Sequence, residues 1–228
     1  MSASSRPDRP DRPQAVLFDV EGVIAHPDDD ALAHGFATLW PGLRRDDVEA
    51  ARDGAALYPL WERYSIGAID GRTYWRAVIE SLGRTADDAR LDALAGLLSR
   101  AWWADIDPDI LALVDALRAV PTPDGPMKVG LLSNSCADHD TALAAFAPRF
   151  DAACFSHRVG RRKPDAAAYL GAAAALGVAP ERILFIDDRV RNTAAAERIG
   201  MATVVFTTAA ALREALLAHG LLDAARVP

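Results

Sequence analysis

The stretch ILFIDDRVRN, residues 183–192, sets a four-residue apolar run directly against two adjacent aspartates, Asp187 and Asp188. A short apolar burst of this kind reads as a strand buried on both faces, as in a parallel sheet. Neighbouring carboxylates at the end of such a strand repel each other and require a compensating cation.

Similar bursts stand at AVLFD (15–19), KVGLLS (128–133), AACFS (152–156), RILFID (182–187) and ATVVF (202–206). Between the later ones lie Ala- and Leu-rich stretches at 166–177 and 194–200 that read as helices. Strand and helix in alternation predict an α/β fold with a parallel sheet. The interval from about residue 30 to 118 differs, with helical patterns such as DDALAHGFATLW and GRTYWRAVIESLG and no convincing strand. A connection that long within a sheet predicts a helical insertion of roughly 75 residues. The expected organisation is a disordered tail at 1–13, a catalytic core at 14–28 and 107–228, and a helical cap at 29–106. The tail follows from MSASSRPDRPDRP, which repeats Pro, Asp and Arg without apolar periodicity.

Composition excludes several classes. Of 228 residues, 51% are hydrophobic and 25% charged, which suits a globular protein. A net charge of −7 argues against a nucleic-acid partner and a polybasic membrane anchor. No apolar run approaches the ~20 residues that span a bilayer, and the N-terminus lacks a signal-peptide core. The two cysteines, Cys136 and Cys154, are expected as reduced thiols in a cytoplasmic protein. The partner is expected to be a small molecule, and the assembly a monomer or homodimer.

Ligands of open parallel sheets bind beyond the carboxyl ends of the strands. Asp19 and Glu21 follow the first strand, Ser133 and Asn134 close the second, Lys163 lies in the basic RVGRRKPD after the third, and Asp187 and Asp188 close the fourth. Singly, each has a plain structural explanation, such as helix capping by Ser133 and Asn134. Four carboxylates at one sheet edge, however, are costly without a cation, and a hard divalent ion, Mg²⁺, matches an all-oxygen donor set. The histidines His26, His139 and His157 lack metal-ligand spacing and are expected at the surface or behind the site. Trp61, Trp75, Trp102 and Trp103 read first as packing of the insertion, with a pocket-lining role for Trp102 or Trp103 as the lesser alternative.

The segments FDVEGV (18–23), LLSNS (131–135), GRRKPDAAAY (160–169) and FIDDRVRN (185–192) resemble, in order, the four motifs of the haloacid dehalogenase superfamily. The insertion resembles its small helical cap, and WERYSIGAIDGRTYW (61–75) is similar to the subgroup of sugar-1-phosphate phosphatases and the N-terminal phosphatase domain of soluble epoxide hydrolase. The resemblance implies a Rossmann-like core with a cap after the first strand, and a Mg²⁺-dependent phosphatase acting on a small phosphorylated metabolite through an aspartyl-phosphate. It implies Asp19 as nucleophile and Glu21 as acid and base. Asp19, the carbonyl of Glu21 and Asp188 would hold the metal, with Asp187 in its outer shell. Ser133, Asn134 and Lys163 would contact the phosphoryl group, and Asn192 would bond the motif loops or serve its helix. Glu21 departs from the second aspartate that most phosphatases of the superfamily carry, although its enolase-phosphatases have Asp-Ile-Glu-Gly there. The alternatives are a 2-haloacid dehalogenase, a phosphomutase, and a phosphatase-like binding module weakened by Glu21.

Overall fold

Five parallel strands form the central sheet of the computed structural model, which describes residues 12–223. They are β1 (Ala15–Phe18), β2 (Lys128–Ser133), β3 (Ala152–Phe155), β4 (Ile183–Asp187) and β5 (Ala202–Val205), in the order β3-β2-β1-β4-β5. The strands coincide with the five apolar bursts to within a residue or two. Central β1 pairs in register with both neighbours, Ala15 opposite Lys128 on one side and Ile183 on the other. Its side chains alternate between two apolar layers, Val16 and Phe18 on one face and Ala15 and Leu17 on the other. Burial on both faces is why these strands read as continuous apolar runs.

The expected tail lies outside the described residues except for Arg12 and Pro13. Five helices fill the long interval: α1 (Asp29–Leu39), α2 (Arg45–Asp53), α3 (Tyr58–Ser65), α4 (Gly71–Ser81) and α5 (Asp88–Ala101). Asp28, Asp70 and Asp87 cap α1, α4 and α5 by accepting from backbone amides three residues on, as N-cap carboxylates do. The insertion has no separate interior. Leu32, Phe36, Tyr74 and Trp75 belong to the same apolar cluster as Val16 and Phe18 of the sheet.

One expectation about this interval is corrected. Asp105–Ile106 forms a two-residue antiparallel ribbon with Ala25–His26, joining the two chain crossings between sheet and insertion. Strands this short carry no periodicity for a sequence pattern to detect. Among the described residues no helix is long and apolar enough to cross a membrane.

Candidate active site

The carboxyl ends of β1 and β4 stand side by side where the strand order reverses, the usual ligand crevice of such sheets. The Asp19 amide donates to Ile186 O at 2.8 Å, which keeps the chain on its strand path for one more residue. Beyond it Gly22 turns with φ +82°, and a Cβ there would stand 2.9 Å from Asp188 Oδ2. Glycine alone combines that backbone with that approach.

Lys163 lies at the centre, 1% exposed. Its Nζ is 2.7 Å from Asp19 Oδ1 and 2.6 Å from Asp187 Oδ2. Asn134 clamps the backbone that carries it, with Oδ1 accepting from Lys163 N at 2.7 Å and Nδ2 donating to Lys163 O at 2.8 Å. Asp187 also accepts from Asn192 Nδ2 at 2.9 and 3.0 Å and from Arg189 N at 2.9 Å. Both Asp187 oxygens are therefore engaged by protein donors. Asp188 faces solvent more openly, and oxygens of Asp19, Asp187 and Asp188 lie within 4.8 Å of one another. The buried hydroxyl of Ser133 has no protein partner, as expected of a donor kept for a ligand oxygen.

One ammonium does not balance this edge. Burial pushes Asp19 up to about 7 despite Lys163, and the Asp187 charge adds to the rise. Asp188 is raised too, by burial and then by Asp187. The donor set and its excess of negative charge fit a hard divalent cation. Among the described residues the histidines belong to no such cluster. His157 Nδ1 lies 2.9 Å from Ser135 Oγ and its Nε2 3.0 Å from Asp140.

Glu21 is placed differently from its expected partners. Its side chain stands outside the three-carboxylate cluster, with Oε2 accepting from Trp102 Nε1 at 3.0 Å and Trp103 Nε1 at 3.2 Å. Its pKa is lowered: burial raises it, but His139, the indoles and Arg52 outweigh burial. Burial brings His139 itself down to about 4, so that imidazole is neutral near pH 7. Arg52 of α2 lies over the Trp102 ring at 4.4 Å. Cys136 is also accounted for, a buried thiol pushed up to about 12 and inert.

A cavity of about 340 Å³ opens above Asp19, Glu21 and Lys163, with Arg52, Tyr58 and Trp61 of the insertion among its walls. The structure thus gathers Asp19, Lys163, Asp187 and Asp188, brings Asn134 and Asn192 in behind them, and turns the Glu21 carboxylate toward the insertion. Arg52 is a participant that sequence reasoning did not assign, and Trp102 and Trp103, given a pocket-lining role only as the lesser alternative, hold Glu21. The available signal was two consecutive tryptophans just before the chain re-enters the sheet.

A family profile described as haloacid dehalogenase-like hydrolase matches residues 13–200. Comparison with curated proteins finds no match. Among solved structures, a HAD family enzyme of Bacteroides thetaiotaomicron in complex with magnesium and inorganic phosphate is similar at 21% identity and TM-score 0.63, covering 85% of this chain and 93% of that one. A predicted HAD-like family hydrolase of Porphyromonas gingivalis gives 23% and 0.64, covering 89% and 97%. The L-2-haloacid dehalogenase of Xanthobacter autotrophicus gives 24% and 0.64, covering 90% and 82%. The fold is common to all three, and the profile spans most of the sequence: this chain belongs to the haloacid dehalogenase-like hydrolases.

Proposed function

We propose that the chain is a Mg²⁺-dependent phosphatase that hydrolyses a small phosphorylated metabolite through an aspartyl-phosphate. The observation that carries this reading is the Asp19, Asp187 and Asp188 cluster with a single buried lysine. Attack on carbon, the dehalogenase alternative, needs no metal and would leave Asp188 without a purpose, whereas Asp187 would still hold Lys163. The Bacteroides enzyme solved with magnesium and phosphate supports the same choice. The acidic net charge and two free thiols favour a cytoplasmic enzyme with a small soluble substrate.

Asp19, Asp188 and the backbone carbonyl of Glu21 would hold the cation, which when bound neutralises charge on the phosphoryl oxygens. Asp19 attacks phosphorus and its carboxylate becomes an acyl phosphate, which splits hydrolysis into two displacements. The leaving oxygen takes a proton from Glu21 in its protonated form, the minor form in the free protein because its pKa is lowered. In the second step Glu21 takes a proton from the water that attacks phosphorus, and Asp19 is released. Ser133 Oγ and the Asn134 backbone amide donate to the transferred group, and Lys163 balances the charge that collects on Asp19 and the phosphoryl oxygens. Asp187 acts behind this step by holding Lys163.

A screen of phosphate release over phosphorylated metabolites, with Mg²⁺ or with chelator, tests the proposal. Chloride release from a 2-chloroacid is followed in parallel. Mg²⁺-dependent phosphate release is expected, lost by several orders of magnitude in Asp19→Asn while the fold persists. Metal-independent chloride release would establish the dehalogenase instead, and silence on both would favour a binding module.

A further inference from the structure

The chain crosses twice between sheet and insertion, and Trp102 and Trp103 occupy the second crossing. They follow α5 directly and precede the Asp105–Ile106 ribbon. Both indoles donate to the same oxygen, Oε2, of Glu21, which sits two residues after the nucleophile. The other face of the pair is also held, for the buried His139 ring packs against Trp103 with centroids 4.2 Å apart and against Trp102 at 5.9 Å. The Arg52 guanidinium covers Trp102 from α2. The indole pair that holds one carboxylate oxygen is thus itself packed from two further segments, by His139 and Arg52.

We propose that Trp102 and Trp103 are positioning residues that latch the insertion onto the sheet through Glu21 Oε2, so that the other oxygen, Oε1, is presented for proton transfer only when the insertion is closed. This rests on the phosphatase reading for its catalytic half alone. It also gives the glutamate a reason. An aspartate would be about 1.5 Å shorter, and bonds of 3.0 and 3.2 Å do not survive that retreat from two rings packed in place.

The molecule supplies a built-in control. Asp138, beyond the end of β2, accepts from Tyr64 Oη and from Trp75 Nε1 at 3.0 Å. It too ties the sheet to the insertion through aromatic donors, but it is not among the walls of the cavity above Asp19. Asp138→Asn, beside Trp102 and His139, weakens the attachment of the insertion without removing a donor to Glu21.

Two measurements on the full chain test the latch. The first is a thermal double-mutant cycle in chelator, combining Glu21→Ala with Trp102→Phe/Trp103→Phe, with the single Trp→Phe variants held in reserve in case the double variant does not fold. The latch predicts strong coupling, the combined variant losing clearly less melting temperature than the sum of its parts. Additive losses would overturn it, whatever the enzyme does. The second is single-turnover hydrolysis of an alkyl and an aryl phosphate with Mg²⁺. Trp102→Phe/Trp103→Phe should slow the alkyl ester about tenfold or more and the aryl ester far less, because only the poor leaving group needs the proton. Glu21→Gln should show the same selectivity more strongly, whereas Asp138→Asn, which removes no donor to Glu21, should show it far less. Equal losses on both esters in the tryptophan variant would overturn the positioning role. If the unaltered protein releases no phosphate from either ester, the phosphatase reading and this catalytic half fail together, and the thermal cycle alone decides the latch.

Discussion

Asp19 and Asp187 share one buried ammonium, whereas Glu21 and Asp138 are each met by two aromatic donors from the insertion. The sheet edge thus balances two acids with one cation, and its charge is left over: Asp19 rises to about 7 and Asp188 rises with it. At the insertion the accounting is reversed. His139, the indole N–H groups and Arg52 together outweigh burial, and Glu21 is lowered. A site short of positive charge is disposed to take up a cation, and a site already saturated with donors is disposed to hold a shape. Both arrangements meet on the loop from Asp19 to Glu21, so the proposed nucleophile and the proposed latch are two residues of chain apart.

The most severe way to break the contrast is Lys163→Met. Methionine keeps much of the length and removes the only charge that Asp19 and Asp187 share. Breaking a buried ion pair from one side costs about 3–5 kcal/mol, and here two carboxylates lose their partner. Urea unfolding in chelator should show a loss of that order, together with loss of turnover. A loss below about 1 kcal/mol would mean that Asn192 and the Arg189 amide already satisfy Asp187 and that Asp19 simply takes a proton.

How far the sequence revealed each region follows the same division. The sheet edge was legible because the three central strands are apolar on both faces and lead straight into a polar residue, so β1, β2 and β4 announced Asp19, Ser133 and Asp187 by position. Lys163 was found from its motif, although its burial between two aspartates was not visible. The latch was illegible for a physical reason. Trp102 and Trp103 end an amphipathic helix whose other apolar residues pack, and packing is the ordinary fate of tryptophan there. Their bonds span 81 and 82 residues to a glutamate assigned to chemistry. The Ala25–His26 ribbon was missed because two residues show no alternation.

A second, intermediate effect concerns pH in the absence of metal. Asp19 has a folded value of about 7 against an ordinary 3.8, so the folded chain retains a proton that the unfolded chain has released. This contribution is fully present below about pH 4 and is lost as pH rises through about 7. Melting of the chelated protein, compared with Asp19→Asn to cancel other groups, should therefore fall more steeply across that window. Mg²⁺ binds the ionised carboxylates and should reduce the fall. Parallel profiles for the two proteins would show that Lys163 alone balances Asp19.

The smallest effect sharpens the comparison from the other side. Asp138→Asn leaves an amide oxygen where the carboxylate accepted from Tyr64 and Trp75. Hydrogen bonds to a charged acceptor are stronger than those to a neutral one by about 1 kcal/mol. The substitution also removes the cost of half-burying a charge, which offsets part of that loss. The net change in unfolding free energy should stay near 1 kcal/mol or below, several times less than for Lys163→Met. The difference arises because the aromatic donors carry no charge to be stranded, while Lys163 leaves two acids behind. Were Asp138→Asn to cost as much as Lys163→Met, the aromatic attachment of the insertion would depend on full charge, and the division between a charge-deficient edge and a saturated interface would fail.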